Sequence, residues 1–561
     1  MHDYYDLGTY SRPVTTSSAQ TQLWFDRGLM WCYGYNHDEA IRCFQKALEH
    51  DRNCAMAYWG IAYASGPNYN KRWDAFIEQE LKEAVAQARL ATQIALVHLE
   101  GTTPVEQAMI HALQQRYQAE QTSSVDELFT WNDAYAASMR DVYQRFPDDP
   151  DVVALFAEAL IDRTPWQLWD LKTGQPAAGA DTLETVAVLE RALQRMEQHG
   201  EAPHAGVLHM YVHTLEMSPY PERALRAGDI LRDLVPDAGH LRHMPSHIDV
   251  LCGDYRGAMI TNHRAIEADS LYLAKEGPIN FYTLYRSHNY HFKLYSAMFL
   301  GQYHPALEAA EQLAETIRED LLRVEKPPMA DWLESFVSMK AHVQIRFGKW
   351  QDILATPLPE DPALYCVTTA MLHYAKGVAF AACGQVANAE AEHHLFLEAW
   401  ARVPDTRYLF NNRCNDILAV AAGMLRGEIE YRKGNVDEAF THLREAQSLD
   451  DHLPYDEPWG WMQPVRHALG ALLLEQGRVE EALHAYRADL GLDNTLGRAS
   501  WHLDNVWSLH GYVECLKRLG RDAEAAVAQV RLNLAMARAD VEISASCFCR
   551  VCRSEACPRR G

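Results

Sequence analysis

Apolar and polar positions along this chain alternate with the 3.6-residue period of amphipathic helices rather than the two-residue period of strands. Trp24, Gly28 and Trp31 share one helical face at spacings of four and three, and Ala40, Phe44 and Ala47 share a face of the next stretch. Gly28 and Ala40 are small enough for two helices to cross closely there, while the aromatic rings fill the groove between them. The same grammar returns as a turn glycine followed five residues later by alanine: Gly253/Ala258, Gly301/Ala306, Gly384/Ala389, Gly434/Ala439, Gly477/Ala482 and Gly520/Ala525. One such match means little, but six in phase with amphipathic helices predict an array of helix pairs. Alternating β-branched runs and Asn-Gly or Asp-Gly hairpins are nearly absent. Irregular stretches at 65–75, 163–182, 355–362 and 450–464 read as loops inserted at repeat junctions.

A helix pair of ~34 residues with small residues at the crossing is the tetratricopeptide (TPR) unit. The expected fold is therefore all-α: a TPR-like right-handed superhelix (an α-solenoid) of about twelve antiparallel helix pairs. It runs continuously over 16–540, after an N-terminal arm at 1–15 and before a cysteine-rich tail at 541–561. Repetition also explains how 561 residues avoid splitting into domains, since no Gly-, Ser- or Pro-rich linker divides them.

Composition narrows the partners. With a net charge of -24 and no long basic stripe, nucleic acid is excluded as an expected partner. No apolar run approaches the ~18 to 20 residues that span a bilayer, and the opening MHDYYDLGTYSRP lacks the basic and apolar segments of a signal peptide. A cytoplasmic protein with no membrane contact is expected. Eight of the 12 cysteines lie singly in helical stretches and read as small buried apolar groups, whereas Cys547, Cys549, Cys552 and Cys557 crowd the tail. A disulfide framework is not indicated. The tail is either a redox pair, an added metal-ligand set or a group of exposed thiols.

The chemistry lies in the histidines: nine of 26 fall between 204 and 291. His209 and His213 are four apart and share a helix face with Glu216. His243 and His247 are again four apart, each 34 residues after its predecessor, which is one TPR period. That register predicts His209 beside His243 and His213 beside His247, with His288, Asn289 and His291 arriving on a third helix that begins near Tyr282. Pro245 fits only if its helix starts at about residue 242. Imidazoles on helices ~8 to 10 Å apart can share one metal ion at ~2.0 to 2.1 Å per bond. His209, His213, His243, His247 and His288 are the expected ligands, and the nitrogen-rich set suits Zn, Cu or Fe rather than Mg or Ca. The same rings could instead bind an anion or act as acid and base. Glu216 is a candidate ligand or general base, and His291 a second catalytic candidate. Asn68, Asn70, Asp162, Trp166 and Asn289 are candidate pocket residues, and Trp169 a further wall.

Beyond the generic repeat, the chain resembles a family of TPR proteins of roughly 500 to 600 residues from bacteria and fungi. The resemblance rests on Ala19 to Ala40, Ala55 to Asn70, Glu158 to Asp170, HMYVHTLE, Gly239 to Ile248, His288 to Phe292, Tyr455 to Gly470 and Ser546 to Cys549. It covers essentially the whole chain and implies the fold, but no settled activity. The pattern is left after CFC, where VCRSEACPRRG adds Cys552 and Cys557.

Two functions compete on these residues. One is a metal-dependent enzyme acting on a small molecule within an enclosed channel of the superhelix, by hydrolysis or oxidation. The alternative is a TPR interaction scaffold that takes a peptide or protein partner in its concave groove. The central concave positions carry histidine rather than the Lys, Arg and Asn of a carboxylate clamp, which favours the enzyme, yet no HExxH, GxSxG, Walker or dinucleotide signature is present.

Overall fold

A computed structural model describes residues 4–122 and 124–550. The described chain is all-α, with one two-stranded hairpin, Tyr408–Leu409 against Asn412–Arg413. Consecutive helices pack as pairs, in the TPR-like manner that the glycine-alanine grammar predicts. The caps explain where the helices begin. The Ser18 and Asn36 side chains accept from the backbone N–H of Thr21 and Glu39, and Thr103 forms a capping box with Glu106. The crossing glycines are required by contact: a Cβ on Gly28 or Gly60 would lie 2.6 or 2.5 Å from the Phe44 ring, one large side chain filling both grooves.

The chain falls into two compact units, Met1–Ile248 with Glu267–Leu271, and Asp249–Ile266 with Tyr272–Gly561. In the first unit, helix Ala19–Tyr33 packs on its own partner His37–His50 and also on Ala205–Glu216, so an early and a late helix of the array meet. Gly206 permits this, because a Cβ there would stand 2.6 Å from the Tyr33 ring and 3.0 Å from the Ala154 methyl. The expected N-terminal arm supplies the lock. Arg12 pairs with Asp149 at 2.8 Å and with the buried Asp151 at 2.6 Å. Asp151 also accepts from Tyr10 and Tyr33, both at 2.6 Å, and lies 3.0 Å from His204 Nε2. His204 is itself the N-cap of Ala205–Glu216, its Nδ1 accepting the Val207 N–H. Burial pushes the Asp151 carboxyl upward, but His204 and Arg12 more than offset this and hold it well below its ordinary range.

The second unit continues with paired helices, among them Cys366–Ala382 with Val386–Trp400, Cys414–Lys433 with Val436–Asp451 and Val506–Arg518 with Asp522–Met536. The stretch at 450–464, expected as a loop at a repeat junction, is irregular from 452 onward and is substantially buried, with Trp461 fully covered and Trp459 Nε1 donating to Asp450. No helix among the described residues is long and apolar enough to cross a membrane. Cys552 and Cys557 lie outside the described residues.

Pro245 corrects one local expectation. The helix does not start at 242: Gly239–His243 and Pro245–Leu251 run back to back, with Met244 still helical at φ -51° and ψ -37°. Proline at the first position of the second segment lacks an N–H that the junction leaves unused anyway. His243 consequently ends one helical segment rather than beginning another.

Candidate metal centre

The first unit gathers six of the chain's titratable site residues in its interior: His209, His213, Glu216, His240, His243 and His247, none more than 2 % exposed. One ligand nitrogen each from His209, His213 and His240 lies within 4.8 Å of the other two. The first two come from one face of Ala205–Glu216, as their i,i+4 spacing predicts, and their ring centroids are 4.7 Å apart. His240 was not among the expected ligands. Its ring lies 5.0 Å from that of His209, occupying the place the repeat register assigns to His243. The signal for it was present: His240, His243 and His247 stand at i, i+3 and i+7, one continuous helical face, which a reading confined to i,i+4 pairs passes over.

The outer nitrogens are tied down. His209 Nδ1 lies 2.7 Å from the Tyr33 carbonyl and so donates to it. His213 Nδ1 donates to Glu216 Oε1 at 2.7 Å. Both rings thereby present Nε2 as a lone pair, and both Nε2 atoms are buried without a hydrogen-bond partner. A backbone carbonyl or carboxylate behind the ring is the arrangement that fixes the tautomer of metal-bound histidine. Burial first, and then the neighbouring imidazoles, push His209 and His240 well below the ordinary histidine range. His213 is lowered too, less so because Glu216 opposes the effect. Neutral imidazole is the form that binds metal.

Glu216 belongs to this outer layer. Its second oxygen accepts from His247 Nδ1 at 2.5 Å, and His247 Nε2 meets His243 Nε2 at 2.8 Å. Burial pushes the Glu216 carboxyl up, but His247 and His213 outweigh it and bring it down to about 2. The carboxylate stays ionised with both oxygens committed to histidines.

Aromatic rings wall the cluster. Tyr69 lies 4.8 Å from His213 and 4.9 Å from Trp166, whose own ring is 5.9 Å from His213. Tyr35 covers the other side, its ring centroid 4.7, 5.8 and 5.4 Å from His209, His213 and His240. Tyr35 stands five residues before Ala40, the position held by glycine in the later turns. Those glycines have positive φ, from 69° at Gly520 to 90° at Gly434, and Tyr35 adopts the same left-handed backbone at φ 55°. A side chain here costs roughly 1 kcal/mol of backbone strain, and its ring is placed on three histidines.

The remaining candidates divide. Trp166 reaches the cluster, itself at a positive φ of 61°. Trp169 is a packing residue whose Nε1 donates to the Thr214 carbonyl at 2.7 Å. Asn68 spends its side-chain oxygen on a turn, accepting from the N–H groups of Asn70 and Lys71, while the Asn70 Oδ1 is buried without a hydrogen-bond partner. Asp162 pairs with the buried Arg116 at 3.1 Å, beside Glu158, which bonds the Tyr63 hydroxyl. Burial raises both carboxyls, the charge of Asp162 raises Glu158 further, and Arg116 pulls each partway back. His288, Asn289 and His291 lie on Tyr282–Phe299 in the second unit, where His291 Nε2 is 2.8 Å from Met462 Sδ and burial, then His342, lower it to about 3.

The fold and this cluster define an all-α, TPR-like helix-pair protein with buried histidine groups able to hold a metal. No family model matches the chain, and no curated protein does. Among solved structures it is similar to the Naa15/Naa10 complex bound to HypK-THB, at 14% identity over 92% of this chain and 70% of that one, with a TM-score of 0.21. It is also similar to the APC/C hetero-tetramer Cut9–Hcn1, at 14% identity over 94% and 95%, with a TM-score of 0.27. At those TM-scores the fold rests on the chain's own helix pairs.

Proposed function

We propose that this chain is a helix-pair repeat scaffold that carries a histidine-bound transition-metal ion in its first unit and docks a protein partner. The observation that carries the metal is the pair of buried Nε2 atoms of His209 and His213, without hydrogen-bond partners and held toward His240 by groups behind each ring. Three neutral imidazoles suit Zn, Cu or Fe. In this reading Glu216 positions His213 and His247 and is not itself a base, because both of its oxygens are engaged.

The partner is supported by Asp522–Met536, whose outward face exposes Val527, Val530 and Leu534 at 70, 60 and 67 %. An apolar stripe at i, i+3 and i+7 fits an amphipathic helix of another protein. A photo-crosslinking residue at Val530 is expected to capture a discrete protein, lost with Leu534→Asp. Capture of a second copy of this chain alone would overturn that half of the reading.

Elemental analysis of protein purified without added metal tests the other half. About one equivalent of Zn, Cu or Fe per chain is expected, falling below about a tenth in a His209→Ala, His213→Ala variant that keeps its helical circular dichroism. Metal-free wild type, or a variant with undiminished metal, would sink it. Catalysis on a small molecule is the second reading, favoured by the aromatic wall of Tyr69 and Trp166 around His213. A metal of this kind supplies Lewis acidity, or dioxygen chemistry if it is Fe or Cu.

A further inference from the structure

In the second unit the backbone after the last helix folds back as a strap. Ser546 is buried: its carbonyl accepts from Arg346 Nη2 at 2.5 Å, its hydroxyl donates to the His467 carbonyl at 3.0 Å and meets the Tyr486 hydroxyl at 2.5 Å. Phe548 packs on Trp507, and Arg550 pairs with Glu514 at 2.7 Å. The strap thereby presents Cys547 and Cys549, bonded to each other, in the wall of a cavity shared with Arg346, Trp350, Trp461 and His467. Cys547 is half-buried and Cys549 is buried.

Arg346 makes this more than a structural clip. Arg346 is 4% exposed, its guanidinium lies 4.0 Å from the Trp507 ring, and it has no carboxylate within ion-pair distance among the described residues, Asp489 acting on it from beyond that range. Nη1 donates to His467 Nδ1 at 2.8 Å, and His467 must be neutral to accept, since its Nε2 hydrogen goes to Asp489 at 3.0 Å. Arg346 Nε is buried without a hydrogen-bond partner. A buried cation whose direct hydrogen-bond acceptors are both neutral gains from an anion placed in the same cavity.

We propose that Cys547 and Cys549 form a redox-active pair that undergoes exchange with a low-molecular-weight thiol in this cavity, Arg346 stabilising the cysteine thiolate that reduction releases. The attacking thiolate bonds to Sγ of the more accessible Cys547, the Cys547–Cys549 bond breaks, and its electron pair goes to Cys549 Sγ. A second thiolate attacks the sulfur of the first thiol in the mixed disulfide, releasing the small-molecule disulfide and the Cys547 thiolate. Two thiols are oxidised, one protein disulfide is reduced, and the two thiol protons pass to solvent or to the cysteines. In the oxidised state the counter-charge of Arg346 is Asp489, set behind His467, and reduction adds a thiolate on the cavity wall that Arg346 itself lines. The other ionisable groups on the cavity wall are Tyr374, Glu428 and His467. Glu428 is offset by Arg432 at 2.7 Å, which also bonds the Cys549 carbonyl.

The test is iodoacetamide labelling of the full chain, read by peptide mass spectrometry. After oxidation with glutathione disulfide neither cysteine should label in the folded protein. After millimolar dithiothreitol under native conditions both should. Labelling of the reduced wild type against pH should reach its midpoint at least one unit below the ordinary thiol value of about 8.5. Arg346→Met should raise that midpoint, and Arg346→Lys should restore it. If the Met variant does not fold, the wild-type profile decides. Thiols that label after oxidation, reduction that requires unfolding, or a midpoint at 8.5 or above would each overturn the proposal.

Discussion

Glu216 Oε2 accepts a hydrogen bond from His247 Nδ1 at 2.5 Å, joining residues 31 positions apart in a fully buried setting. Because the other oxygen of the same carboxylate holds His213, this contact sets two imidazoles at once. Removing its charge should be felt at the metal rather than at the surface. Glu216→Gln is expected to weaken metal binding about 10- to 100-fold, the usual cost of losing a group behind a ligand. Competition with a chelator of known affinity measures it, and unchanged affinity would remove Glu216 from the site.

His240 should matter as much as the histidines recognised by spacing. His240→Ala is expected to lose as much metal as His213→Ala, whereas replacing the exposed His484 should have no effect. Metal removal should also lower the melting temperature of wild type, since a ligand at about 100 times its dissociation constant adds about 2.7 kcal/mol. A chelator that leaves the melting temperature of a metal-loaded sample unchanged would contradict this.

Tyr35→Gly separates backbone strain from ring contact. Glycine relieves roughly 1 kcal/mol at φ 55°. It also removes a buried ring, at a cost of about 3 to 5 kcal/mol. The variant should therefore be less stable by a net of about 2 to 4 kcal/mol and retain less metal. Denaturant titration of metal-free protein reads the first effect, and elemental analysis the second.

His342 in the second unit sets a pH dependence. Burial lowers it from 6.5 to about 4. As pH falls below 6.5 the unfolded chain takes up the proton and the folded chain does not, so this contribution to stability is present above 6.5 and declines toward pH 4. The loss between pH 7.5 and 5 is about 2 kcal/mol. His342→Phe should flatten the melting temperature over that interval relative to wild type, and an identical slope in both would refute the assignment.

Much of this protein is legible in its residues alone. Gly28, Ala40 and Phe44 announced a helix crossing because small and large residues at helical spacing leave few other packings, and the Ala205–Glu216 helix delivered His209, His213 and Glu216 to one face because 3.6 residues make a turn. The loop at 450–464 was less legible, since its prolines and turn residues mark irregular backbone without saying whether it is covered.

What the sequence by itself determined is local: helix pairs, their crossing residues and the side chains that share a face, all consequences of a fixed helical period. Tertiary structure decided which faces meet. The contact between Ala19–Tyr33 and Ala205–Glu216 brings the Tyr33 carbonyl to His209. The continued helix through Met244 selects His240, and the left-handed Tyr35 lays its ring across the cluster. Each depends on how far the array turns from one pair to the next, an accumulated angle that no single spacing encodes.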